Sequence, residues 1–159
     1  MIELHPMKLM VIALFLLAFS ALASDPKSCT NQTSDCEYYS CVSAARHCQG
    51  GSYPLQFGRR FCLRYEARKH RFSQQGQAWI NDVRSCLIRE MNTYPTDLTC
   101  GELKTRAFRD HVPCYLESGY CSLSARDKRQ VFKAVWPSLK NIHVILAGFK
   151  TNKACSGKN

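Results

Sequence analysis

Between Gln75 and Met91, apolar residues return every three or four positions, and Trp79, Val83, Cys86, Leu87 and Met91 make one stripe among polar neighbours. That is the period of an α-helix with one buried face, and it predicts a helix over the whole segment. The period recurs along the chain. Thr99-x-x-Glu102 has the form of a capping box, and Cys100, Leu103, Ala107, His111 and Cys114 follow on one stripe. Ser34-x-x-Glu37 has the same form and predicts a helix through Cys36, Cys41 and Cys48 that stops at Gly50-Gly51. Further helices are predicted from about Arg59 to His70, and from near Ser124 through Val131, Phe132 and Val135 to a stop before Pro137. Leu139, Ile142, Ile145, Leu146 and Phe149 predict a last one. No run alternates as a strand, and turn residues fall between the helical segments. The predicted fold is all-α, a disulfide-rich, single-domain helical bundle of about five to six helices.

The first residues stand apart from this pattern. Lys8 precedes an apolar run from Leu9 to Ala23, and Ala21-Leu22-Ala23 places small residues before polar Ser24-Asp25. This reads as a signal peptide over residues 1–23, followed by one domain over 24–159. The run is shorter than the roughly 20 apolar residues a membrane span needs. A secreted, extracellular protein is therefore expected. The N-x-S/T sequon at Asn31 is its expected glycosylation site.

All ten cysteines lie between Cys29 and Cys155. An even count confined to a short secreted domain points to a disulfide framework. Metal-ligand spacing is lacking: there is no C-x-x-C, and no cysteine–histidine pair stands at zinc-ligand distance. Helix geometry limits the pairing. At 1.5 Å rise per residue, Cys41 and Cys48 on one helix stand about 10 Å apart, and Cys100 and Cys114 about 21 Å. A disulfide needs Cα atoms within about 7 Å. Bonds are thus expected between different segments, and the arithmetic goes no further.

The ordered spacing is more informative than the count. Cys36-x4-Cys41-x6-Cys48, Cys62-x23-Cys86 and Cys100-x13-Cys114-Tyr115-x5-Cys121, with a last cysteine at Cys155, resemble the framework of the stanniocalcins, which are secreted glycoprotein hormones. Phe72-Ser73-Gln74-Gln75-Gly76-Gln77-Ala78-Trp79 is similar to that family's F-x-x-Q-G-x-A-F segment. The resemblance implies five intrachain bonds: Cys29–Cys41, Cys36–Cys62, Cys48–Cys100, Cys86–Cys114 and Cys121–Cys155. It also implies a hormone-like factor acting on an extracellular receptor or protease partner, with effects on calcium or phosphate handling and, for some members, inhibition of pappalysin-type metalloproteases. Three features depart from the family. No further cysteine follows Cys155, the long C-terminal extension is missing, and the sequon lies near Asn31 rather than between the third and fourth framework cysteines. A covalent dimer is not expected.

Charge adds a second candidate. The chain carries a net charge of +10, and if residues 59–70 are helical, Arg60, Arg64, Arg68 and Arg71 share one face. Such a face is a candidate for heparan-type glycans, against the plainer reading of a solvated cationic surface. Nucleic acid is not an expected partner of a secreted chain. The alternative function from this composition is a secreted cationic defence or venom-type protein on the same scaffold.

Catalytic chemistry finds little support. Asp110-His111-Val112-Pro113-Cys114-Tyr115 holds the residue types of a secreted phospholipase site, but in the wrong order and without its Gly-rich calcium loop. His111 falls on the Leu103–Ala107 stripe, where packing explains it better. There is no G-x-S-x-G, H-E-x-x-H or phosphate loop. No catalytic residue, metal ligand or cofactor is expected. No clustered carboxylates suggest calcium.

Overall fold

The computed structural model describes residues 29, 36–48 and 50–157. The leader (1–23), the Asn31 sequon and Ser34 lie outside the described residues. Within them the chain is all-α, with six α-helices and no strand.

Helix α1 spans Tyr38–Ala45. It ends before the two glycines that its sequence offers as a stop. His47 takes a left-handed backbone conformation (φ 51°), the one non-glycine among the described residues to do so. The N–H of Cys48 then donates to the Ser43 carbonyl at 2.8 Å, and that of His47 to Ala44 at 3.0 Å. This is a Schellman motif, and it satisfies the last carbonyls of α1 without glycine. Cys41 and Cys48 are therefore not on one helix. They still do not bond to each other.

The predicted second helix begins earlier than expected. A π-helical segment, Pro54–Arg59, opens with proline at its first position, where the missing N–H costs nothing. It runs directly into α2, Arg60–Arg68, and a 3₁₀ turn, Lys69–Arg71. Gly58 sits where this segment crosses α1. A Cβ there would lie 2.2 Å from Cδ1 of Tyr39, whose side chain is buried. Gly58→Ala is expected to cost about 2 kcal/mol, because a packed ring cannot give way. Urea unfolding measures it, and an unchanged midpoint would refute this account of the crossing.

Helix α3, Gln74–Asn92, is capped by Ser73, whose Oγ accepts from the Gly76 N–H. Helix α4, Cys100–Glu117, has the expected capping box: Thr99 Oγ1 accepts from the Glu102 N–H, and the Glu102 carboxylate accepts from the Thr99 N–H. It continues through Pro113 for a further turn. Helix α5, Ala125–Val135, starts at the Ser124 cap and ends in a 3₁₀ turn, Trp136–Ser138, that takes in Pro137. Helix α6 spans Ile142–Ser156.

Five disulfides join Cys29 to Cys41, Cys36 to Cys62, Cys48 to Cys100, Cys86 to Cys114 and Cys121 to Cys155. They are the pairs that the family resemblance implies, and no cysteine is left free. Cys86–Cys114 clamps α3 to α4, and Cys121–Cys155 ties the turn after α4 to the end of α6.

Asp127 links two helix starts. It is fully buried. Its carboxylate accepts from the Ser73 N–H at 2.9 Å, the Ser73 hydroxyl at 2.6 Å and the Ser124 hydroxyl at 2.8 Å. A buried anion at the N-termini of both α3 and α5 takes the N–H of the α3 cap residue Ser73 and suits both helix dipoles. Gly76 makes room for it, since a Cβ there would meet the carboxylate at 2.8 Å. The glycine of the Gln75-Gly76-Gln77-Ala78 segment thus has a packing reason.

Candidate functional site

The buried apolar residues form two clusters rather than one. The first holds Tyr38, Tyr39, Val42 and Tyr53 with Ile88, Met91, Leu103 and Phe108. The second holds Phe72, Trp79, Ile80, Val83, Tyr120 and Val131. Where they would meet there is a cavity of about 350 Å³, lined from the first side by Tyr39, Tyr53 and Phe108 and from the second by Trp79, Val83 and Val131. Domain interiors seldom leave voids much larger than a water molecule, so this volume is a feature of the architecture.

The local sequence explains its floor. Phe57, Phe61 and Tyr65 recur at intervals of four through the π-helical segment and α2, and all three line the cavity. The same stretch carries Arg60, Arg64 and Arg68; the aromatic face beside them is the sequence signal that marks the site.

The outer side is set by α6. Its apolar stripe predicts a buried face, but Ile142, Ile145, Leu146 and Phe149 are 58, 46, 47 and 67% exposed. The face turned inward is instead Val144, Ala147 and Thr151, with Thr151 buried. Ile145 and Phe149 therefore stand on the cavity's rim, with Phe132 of α5 opposite, half exposed and edge-on to Trp136 at 5.2 Å. The physical reason is attachment. His143 of α6 stacks on Phe108 of α4 at 5.3 Å, and Cys155 is tied to Cys121, so both ends of the helix are placed by contacts outside its apolar stripe.

The polar groups of the wall are few and electrically quiet. Desolvation holds the tyrosine hydroxyls of Tyr39 and Tyr53 well above their ordinary pKa, so both stay protonated. Tyr65 and Tyr115 bring their hydroxyls to 3.4 Å from each other. His111 lines the same space, and its Nδ1–H donates to the Ala107 carbonyl at 2.6 Å. Burial lowers its pKa below the usual imidazole value, against smaller raising effects from that bond and from Asp110, so the ring is neutral at pH 7. Arg84 is paired with the Glu66 carboxylate in the wall.

The arginines of α2 do not make one open basic face. Arg64 donates to the carbonyls of Ala134 at 2.7 Å and Lys133 at 3.2 Å, capping the end of α5, and Arg68 donates to Gln130. Arg60 lies exposed over the Phe61 ring, and Arg71 falls in the 3₁₀ turn, off the α-helical register that would align it with the others. Two of the four guanidinium groups are thus engaged in joining α2 to α5. Asp110 and His111 point to separate partners: Asp110 takes the hydroxyl of Tyr94, while His111 bonds Ala107. Among the described residues no three His, Cys, Asp or Glu side chains group to hold a metal, and no helix is long and apolar enough to cross a membrane.

Comparison of the chain with protein-family models, with curated proteins and with solved structures returns no match.

Proposed function

We propose that this protein is a secreted, stanniocalcin-like factor that acts by binding an extracellular partner rather than by catalysis. One observation supports the reading above others: all ten cysteines close into five bonds within one chain, in the order the stanniocalcin framework implies. A domain stapled in this way keeps its surface in shape in an oxidising medium, which a circulating factor needs. The partner proposed is a receptor or a pappalysin-type metalloprotease. Surface immobilisation of that protease, with the secreted chain passed over it, tests the reading. Saturable binding that also slows substrate cleavage is the expected result, and neither binding nor slowing would overturn the protease form of the proposal.

A second reading has its own observation. The chain combines a net charge of +10 with exposed Phe132 and Trp136 on and beside α5, next to Arg129 and Lys133. Cationic surfaces that display aromatic side chains suit anionic membranes, as in defence proteins. Dye leakage from anionic vesicles at low micromolar protein separates the two, since a hormone-like factor leaves them intact.

A further inference from the structure

The cavity between the two core clusters has walls held from several directions. Cys86–Cys114 fixes α3 against α4, Asp127 fixes the start of α3 to the start of α5, and Cys121–Cys155 fixes the end of α6. Its volume of about 350 Å³ falls at the lower end of small-molecule pockets, roughly 300–1,000 Å³. It opens past Phe132, Ile145 and Phe149, apolar side chains that are 46 to 67% exposed. Apolar residues gathered at the entrance of an apolar cavity are a feature of ligand sites rather than of ordinary surface.

The tyrosines supply an independent observation. Tyr39 and Tyr53 are only 2 and 3% exposed. Both line the cavity; neither hydroxyl has a hydrogen-bond partner among the described residues, and neither oxygen is among the fully enclosed unpaired atoms, so both stay open to the cavity space. Two in one cavity wall amount to a ready donor–acceptor pair aimed at something the chain itself does not provide. The charged groups of the wall are already matched, with Arg84 held by Glu66 and His111 neutral, so they offer no counter-charge to an ionised ligand.

We propose that this cavity binds one molecule of an uncharged, mainly apolar compound carrying a single hydrogen-bonding oxygen, of the class of a medium-chain alcohol. Its chain lies between the aromatic walls and its oxygen meets the Tyr39 and Tyr53 hydroxyls. The small cavity admits one chain and excludes a two-chain phospholipid. This site is separate from the proposed partner binding, so either can fail while the other stands.

The test uses the full secreted chain and the neutral fluorophore N-phenyl-1-naphthylamine. Saturable binding of one probe per chain is expected, with displacement by 1-dodecanol. Dodecanoate should displace it about tenfold less well, because its charge has no partner in the wall. Gly148 lines the cavity on α6, and a Cβ there meets nothing within 4 Å, so Gly148→Phe can fold while narrowing the entrance. That variant should lose about tenfold or more in probe affinity. The double variant Tyr39→Phe, Tyr53→Phe should keep its thermal midpoint, since neither hydroxyl bonds the rest of the protein, yet respond less to 1-dodecanol. Absence of saturable binding, unchanged affinity in folded Gly148→Phe, or equal potency of dodecanoate would overturn the proposal. So would one probe per two chains with a dimer in light scattering, which would assign the rim to a second copy.

Discussion

Replacing Cys48 and Cys100 together by alanine is expected to remove about 4 kcal/mol of stability, the largest loss among the five bonds. The reason is loop length. This bond closes a separation of 52 residues, against 12, 26, 28 and 34 for the others. The entropy a cross-link removes from the unfolded chain rises with the logarithm of that length. The bond also joins the Schellman turn after α1 to the first residue of α4, so nothing local substitutes for it. Denaturant unfolding of the double variant against the parent measures the effect. The same experiment on Cys29 and Cys41, whose loop is shortest, should show a smaller loss. Equal losses would refute the loop-length argument.

Asp127→Ala carries the second large effect, roughly 3–5 kcal/mol. Three donors point at this carboxylate, two from Ser73 and one from Ser124. Hydrogen bonds to a charged group contribute about 1.5–3 kcal/mol each; removing the acceptor loses all three at once, though the exposed Ser124 hydroxyl can turn to water. Asp127→Asn keeps the shape and should lose less. A pH signature distinguishes the charge from the packing. Burial raises the pKa of Asp127, but the bonds from Ser73 and Ser124, with help from Arg126, outweigh it, and the group sits below its ordinary 3.8. A carboxyl held low in the folded chain stabilises fully above its unfolded value and loses that contribution as pH falls through the folded one. The parent should therefore lose stability below about pH 4, and Asp127→Asn should lose less over the same range. Parallel pH profiles for the two proteins would exclude the ionised carboxylate as the cause.

The helices that could be read from the chain are those whose ends are written locally. Thr99 and Glu102 bond each other across three residues, and Ser124 caps α5 through the Asp127 N–H. Such signals need only neighbours in sequence. The stop of α1 falls before Gly50-Gly51 because His47, rather than the usual glycine, adopts the left-handed conformation. The basic stripe of α2 was legible as spacing, but its use was not. Arg64 reaches carbonyls at the end of α5, some 70 residues away in the chain, and no local pattern records that.

Sequence alone determined the helical class, the starts of α3, α4 and α5 and a set of cysteines even in number and ordered in spacing, because capping, periodicity and loop length are properties of neighbouring or countable residues. Tertiary structure decided the rest. Periodicity says that Ile142, Ile145, Leu146 and Phe149 share a face, but not what lies opposite. The answer came from Phe108, His143 and the Cys121–Cys155 bond, which hold α6 with that face outward. The cavity likewise exists only where two clusters built from distant segments fail to merge. A gap between walls is a relation among helices, and it has no counterpart in the order of residues along any one of them.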